Sequence, residues 1–151
     1  MSKKEKARNN MLFACGLIEN ISRMSNNINT DVVNCLGEKG LTYILKHAEV
    51  LHCENIDEVS DRMISEYGIP TSTYSIAGFK DVPSAYTIGE AISRIILYKI
   101  KKDHEKRTKS IIKFYNSPIM EVINNYDANM MLSNVPYVYE SYKAKKALEY
   151  W

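Results

Sequence analysis

Apolar residues in the first half of the chain recur every three to four positions, the period of a single helical face. Met11, Leu12, Cys15, Leu17, Ile18 and Ile21, with Lys, Arg, Glu and Asn between them, predict a helix over about Lys4–Met24. Ser25–Asn29 reads as a polar turn. Thr30 or Asn29 then caps a short helix carrying Val32, Val33 and Leu36, which stops near Gly37 or Gly40. Leu41, Tyr43, Ile44, Leu45, Ala48 and Leu51 predict a third helix reaching His52. Asn55 with Glu58 has capping-box spacing ahead of the apolar face Ile56, Val59, Met63 and Ile64. Gly68 followed by Pro70 ends that helix, whose outer face (Asp57, Glu58, Asp61, Glu66) forms an acidic side of the molecule.

Residues 69–86 have no helical period; Thr71–Ile76 suggests a short β-type segment, punctuated afterwards by Gly78, Pro83 and Ser84. Thr87 and Glu90 give a second capping box, opening a helix through Ile88, Ile92, Ile95, Ile96 and Ile100. Lys101–Ser110 then contains no aliphatic side chain. Either one continuous helix spans 88–115 with its middle in water, or the chain turns there between two antiparallel helices. Helix propensity is good throughout and neither Gly nor Pro intervenes, which favours continuity. Pro118 sits at the favoured start of a helix over Ile119, Met120, Val122 and Ile123, and a last helix runs from Pro136 through Tyr139 and Tyr142 to Leu148. The pattern predicts an all-α fold of about seven helices in one domain, 1–151, with subdivisions 1–68 and 87–151 joined by the irregular segment 69–86.

Composition narrows the function more than the fold. At 151 residues and 45% hydrophobic, the chain is long enough to bury a core without metal or disulfide support. No apolar run approaches a membrane span and no signal-type segment follows the charged start, so neither membrane association nor secretion is expected. The net charge of +2 is too small for a dedicated phosphate-backbone binder, but it is uneven: residues 1–75 carry eight Lys and Arg against ten Asp and Glu, and residues 76–151 carry twelve against eight. Three cysteines (Cys15, Cys35, Cys53) cannot form a complete disulfide set, which points to a reducing cytoplasm, and Cys15 and Cys35 read as core residues. Eleven tyrosines against three phenylalanines, with abundant Asn, Ile and Lys, resemble the coding bias of an AT-rich bacterial genome.

Candidate chemistry is sparse. His47, Glu49, His52 and Cys53 form the one cluster resembling a metal site, but no second Cys/His pair completes it, so no metal or other cofactor is expected. Cys53 lacks a positioned base, because adjacent helical side chains such as His52 point apart. The carboxylate pairs Asp57/Asp61 and Glu58/Asp61 lie on a solvated face, and Gly37-Glu38-Lys39-Gly40 lacks the length and trailing Lys-Ser/Thr of a phosphate loop. No catalytic residues are assigned.

Two features suggest binding instead. Lys99, Lys102, Lys106, Lys109 and Lys113 alternate in spacings of three and four; on a continuous helix they make a stripe about 20 Å long. Such a stripe suits a nucleic-acid backbone or an acidic protein surface, although Asp103 and Glu105 interleave with it. Tyr137, Tyr139, Tyr142 and Tyr150, followed by Trp151, offer large contact area at low entropy cost, and Tyr137, Tyr139, Tyr142 and Trp151 are the candidate partner-binding residues.

Two stretches carry a family resemblance. The first is Phe13–Ile64, with Ile18-Glu19, Val32–Leu36, Tyr43-Ile44 and Val50-Leu51-His52. The second holds Val82-Pro83-Ser84, Thr87-Ile88-Gly89-Glu90, Phe114–Ile119 and Ser133–Tyr142. Together they resemble small helical bacterial proteins of the domain-of-unknown-function families, some encoded beside toxin-like ADP-ribosyltransferase relatives. Cys53 stands where the first group would place threonine. The resemblance implies an antitoxin-like or accessory role. The expected function is therefore non-enzymatic protein–protein interaction, with a second copy of the chain as one form of partner. The alternative is nucleic-acid binding through Lys99–Lys113.

Overall fold

A computed structural model describes residues 1–149. Among them lie seven α-helices: α1 (Lys3–Ser25), α2 (Asn29–Leu51), α3 (Ile56–Glu66), α4 (Ala85–Asp103), α5 (Arg107–Tyr115), α6 (Ile119–Asn124) and α7 (Val135–Ala144). Two 3-10 turns, Tyr126–Ala128 and Met130–Leu132, separate the last two helices. No strand occurs among the described residues, and the all-α class read from the hydrophobic period is the class observed. No described helix is long and apolar enough to cross a membrane.

α1 is the axis of the packing. Its second half buries nearly every side, from Met11 through Ala14–Glu19 to Ser25, because α2, α3 and α4 all pack on it. The tightest of these contacts joins α1 to α4, where Gly16 and Gly89 bring the two backbones together. Isoleucines of α4 thus share one hydrophobic cluster with α1, α2 and α3, so the core runs continuously across residues 69–86.

Local rules account for most boundaries. Ser2 caps α1 by accepting from the Glu5 N–H (3.1 Å), and Asn26 ends it in the left-handed region. Asn55 caps α3 by accepting from the Asp57 and Glu58 N–H groups, and a Schellman closure from Ile69 N–H to Ile64 C=O (3.0 Å) turns through Gly68 at φ 61°. The expected break between the Val32–Leu36 and Leu41–Leu51 helices lies within α2 at Gly37, whose φ 64°, ψ −174° is non-helical and essentially reserved for glycine. α2 opens without a side-chain cap: Thr30 Oγ1 donates to the Tyr115 carbonyl (2.6 Å), and Asn29 is buried. The expected core position of Cys35 is also corrected. Cys35 is exposed, because Val32, Val33 and Leu36 span an arc of the helix that excludes it.

Four further expectations change, the last helix ending at Ala144, with Lys145 left-handed at φ 62°, short of Leu148. α4 begins at Ala85, not Thr87; Ser84 Oγ accepts from the Thr87 N–H (3.1 Å), and Glu90 pairs with Arg94 instead of closing a box. Thr71–Ile76 forms no strand; the Ser72 and Tyr74 N–H groups donate to the Ser25 and Asn26 carbonyls (2.8 and 2.9 Å), making this segment a strap over the α1–α2 turn. The continuous helix 88–115 is replaced by two. α4 stops at Asp103, His104 takes the left-handed region at φ 54°, and α5 folds back from Arg107. Turning lets Ile111, Phe114 and Tyr115 join the core, which a straight rod would have left in water.

Candidate functional site

The turn at His104 dissolves the lysine stripe. Lys99 is 0% exposed, with its ammonium among Asp103 (3.4 Å), Glu105 and Ser110, and over the Tyr142 ring (5.3 Å). Lys113 also bonds Glu105 (2.6 Å). Burial by itself raises the Glu105 pKa, but hydrogen bonds from Lys113, Lys99 and Ser110 outweigh it and hold the carboxyl at about 2. Lys102 turns over the Tyr98 ring (5.5 Å).

The same turn gathers the remaining cations elsewhere. Lys106, Lys109 and Lys113 join Arg107 and, from α2, Lys46 around a groove of about 990 Å³ between α2 and α5. Leu45 and Ile112 supply apolar lining, and Thr42 and Thr108 hydroxyls meet across it (3.2 Å). Among the described residues, Glu38 and Glu105 are its anions and no aromatic ring lines it.

The candidate partner-binding tyrosines hold α7 in place. Tyr139 is 4% exposed, donates its hydroxyl to Asp103 and stands edge-on to Tyr98 at 5.3 Å. Tyr142 packs on Phe114 (5.5 Å), and the Tyr137 hydroxyl donates to the Leu148 carbonyl (2.6 Å). Trp151 lies outside the described residues. Of His47, Glu49, His52 and Cys53 only two side chains meet: Cys53 Sγ lies 3.6 Å from His52 Nδ1, so these neighbours do not point apart as expected, whereas His47 packs on Tyr43 and Glu49 faces Lys6. Among the described residues no group of three or more His, Cys, Asp or Glu is placed to hold a metal ion.

A second site centres on an acid outside the candidates read from the sequence. Glu19, 2% exposed on α1, accepts from the Tyr115 hydroxyl (2.9 Å) and from the Asn29 amide (3.1 Å). Asn29 and Asn124, 95 positions apart, exchange reciprocal amide hydrogen bonds (3.0 and 2.9 Å). Glu19, Asn29 and Asn124 border a cavity of about 390 Å³, flanked on another side by strap residues 72–77 and further lined by Arg23 and Tyr126. Burial pushes the Glu19 pKa up to about 7, more than the hydrogen bonds from Tyr115 and Asn29 and the charge of Arg23 pull it down. Burial, followed by the charge of Glu19, likewise pushes the Tyr115 phenol and the Cys15 thiol above their usual ranges. Tyr115 is thus a fixed donor, and Cys15 is an unreactive core thiol. The sequence did carry a trace of this site. Glu19 is the acid on the Cys15–Ser22 stripe, a charge at a position the helical period assigns to the core. Its partners come from three other segments, which no local spacing reveals. Comparison with protein-family models, curated proteins and solved structures finds no match to this chain.

Proposed function

We propose that this is a small bacterial cytoplasmic protein that acts without catalysis by binding another protein, as an antitoxin-like or accessory factor. The α2–α5 groove takes an acidic, amphipathic segment of that partner. The observation that carries this reading is the combination of five cationic side chains with Leu45 and Ile112 in one groove. Cations attract and orient an acidic segment, while the apolar lining gives its hydrophobic residues area to bury. A nucleic-acid backbone is the poorer fit, because Glu38 and Glu105 oppose phosphates and none of the described lining residues offers a ring to stack a base. Three free cysteines support a reducing compartment.

The test is fluorescence anisotropy with three labelled probes: an acidic peptide alternating Leu and Glu, a single-stranded oligonucleotide and a duplex. The peptide binds at low salt, and the triple variant Lys106→Glu, Arg107→Glu, Lys109→Glu loses at least about tenfold in affinity. Tighter binding of either oligonucleotide than of the peptide, with a steep salt slope, would replace this reading with nucleic-acid binding. Binding of no probe would refute the groove as a site.

A further inference from the structure

Glu19 and Arg23 occupy positions i and i+4 of α1, on one face, and both line the cavity beneath the strap. Side chains so spaced ordinarily pair. Here they do not: among the described residues no ion pair joins them, and each finds neutral company instead. Glu19 accepts from Tyr115 and Asn29. Arg23 donates to the Pro83 carbonyl. One cavity therefore presents a buried acid and a half-buried guanidinium, both without a counter-ion in contact.

An anion alone would be repelled by Glu19, and a cation alone by Arg23. A molecule carrying both charges satisfies both. Positions i and i+4 lie about 6 Å apart at Cβ, a span that a short two-charge molecule bridges. The volume of about 390 Å³ suits something of metabolite size. A carboxylate has about four acceptor sites, and Glu19 has used them on two donor groups, so capacity remains for an ammonium. We infer that this cavity binds a small zwitterion of the α-amino-acid class, its ammonium on Glu19 and its carboxylate on Arg23.

The titratable and charged groups facing Glu19 are Cys15, Arg23, Tyr74, Tyr115 and Tyr126. Burial first, with the charge of Glu19 adding to it, raises the thiol and the three phenols above their usual ranges. Only Glu19 then changes charge between pH 5 and 8, so binding of an ammonium must weaken about tenfold per pH unit below 7.

The experiment screens the twenty common L-α-amino acids singly against the full chain at pH 7.5, at about 10 mM, by ligand-observed NMR, followed by calorimetry. At least one binds with Kd below about 1 mM. Its methyl ester, which lacks the anion, and its N-acetyl derivative, which lacks the cation, each bind at least about tenfold more weakly. Glu19→Gln and Arg23→Gln weaken binding to the same degree, and Glu19→Gln abolishes the pH dependence. Glu19→Gln removes a buried charge at constant volume, so it stays folded and decides the question even where Arg23→Gln is unstable. Three results would overturn the inference: no amino acid binds, the ester binds as tightly as the acid, or Glu19→Gln binds as wild type does.

Discussion

Adding one methyl group at Gly89 tests the packing on which the whole bundle rests. A Cβ there would stand 2.6 Å from the Cα and N of Gly16 and 2.9 Å from the Cys15 carbonyl carbon. Carbon atoms settle at about 3.5–4.0 Å, so α1 and α4 must separate locally by about 1 Å. The obstructing atoms are helix backbone and cannot rotate aside. Overpacking of this kind costs about 1–3 kcal/mol, and rigid neighbours place Gly89→Ala at the upper end. The gain in helix propensity from Gly to Ala returns about 1 kcal/mol, leaving a net loss of about 2 kcal/mol. For a chain of this length, that lowers the melting temperature by about 4–8 °C. Gly16→Ala is the paired control. Its Cβ meets nothing within 4 Å, so it retains the propensity gain and raises the melting temperature by about 2–4 °C. Thermal and urea unfolding of both variants, followed by circular dichroism, reads the two signs directly. A Gly89→Ala protein as stable as wild type would refute the close approach of α1 and α4.

Two further outcomes follow from the buried charges. Folding raises the Glu19 pKa from 4.5 to about 7, so its contribution to stability is full below pH 4.5 and is lost as pH rises through 7; Glu19→Gln should remove a fall of about 3 kcal/mol from the urea-derived stability profile between pH 4.5 and 8. A Glu19→Gln profile parallel to wild type over that range would sink the assignment. Lys99→Met strands Asp103 and Glu105 without their buried cation and should cost about 3 kcal/mol at pH 7. The contribution of Glu105, normally lost only as pH falls from 4.5 through about 2, should then fade at higher pH; an unchanged acid transition in Lys99→Met would count against the ion cluster.

The sequence predicts one helix break that the structure has and misses another. Val32–Leu36 and Leu41–Leu51 lie on either side of the non-helical Gly37, as their spacing predicts, whereas the favoured rod over 88–115 is two helices. Period and propensity report whether a segment suits a helix, and Lys101–Ser110 has good propensity throughout. They are blind to what a segment would lie against. A continuous 88–115 would carry Phe114 and Tyr115 away from the core, and the energy of burying them decides for the turn. The lysine spacing was legible for the same reason and misled for the same reason. Lys99 shares its register with the others but faces inward, where Asp103, Glu105 and Ser110 receive it.

Sequence alone determined that this chain is helical and where α1 and α3 begin and end. Those properties depend on neighbours within a turn or two, which the order of residues states outright. Tertiary structure decided the rest: the pairing of Asn29 with Asn124, the meeting of Tyr115 with Glu19, the strap of residues 72–77 and the groove joining Lys46 to Lys109. Each requires partners tens of residues apart. Their meeting, and the low-dielectric setting that moves the Glu19 proton, exist only once α1 is enclosed.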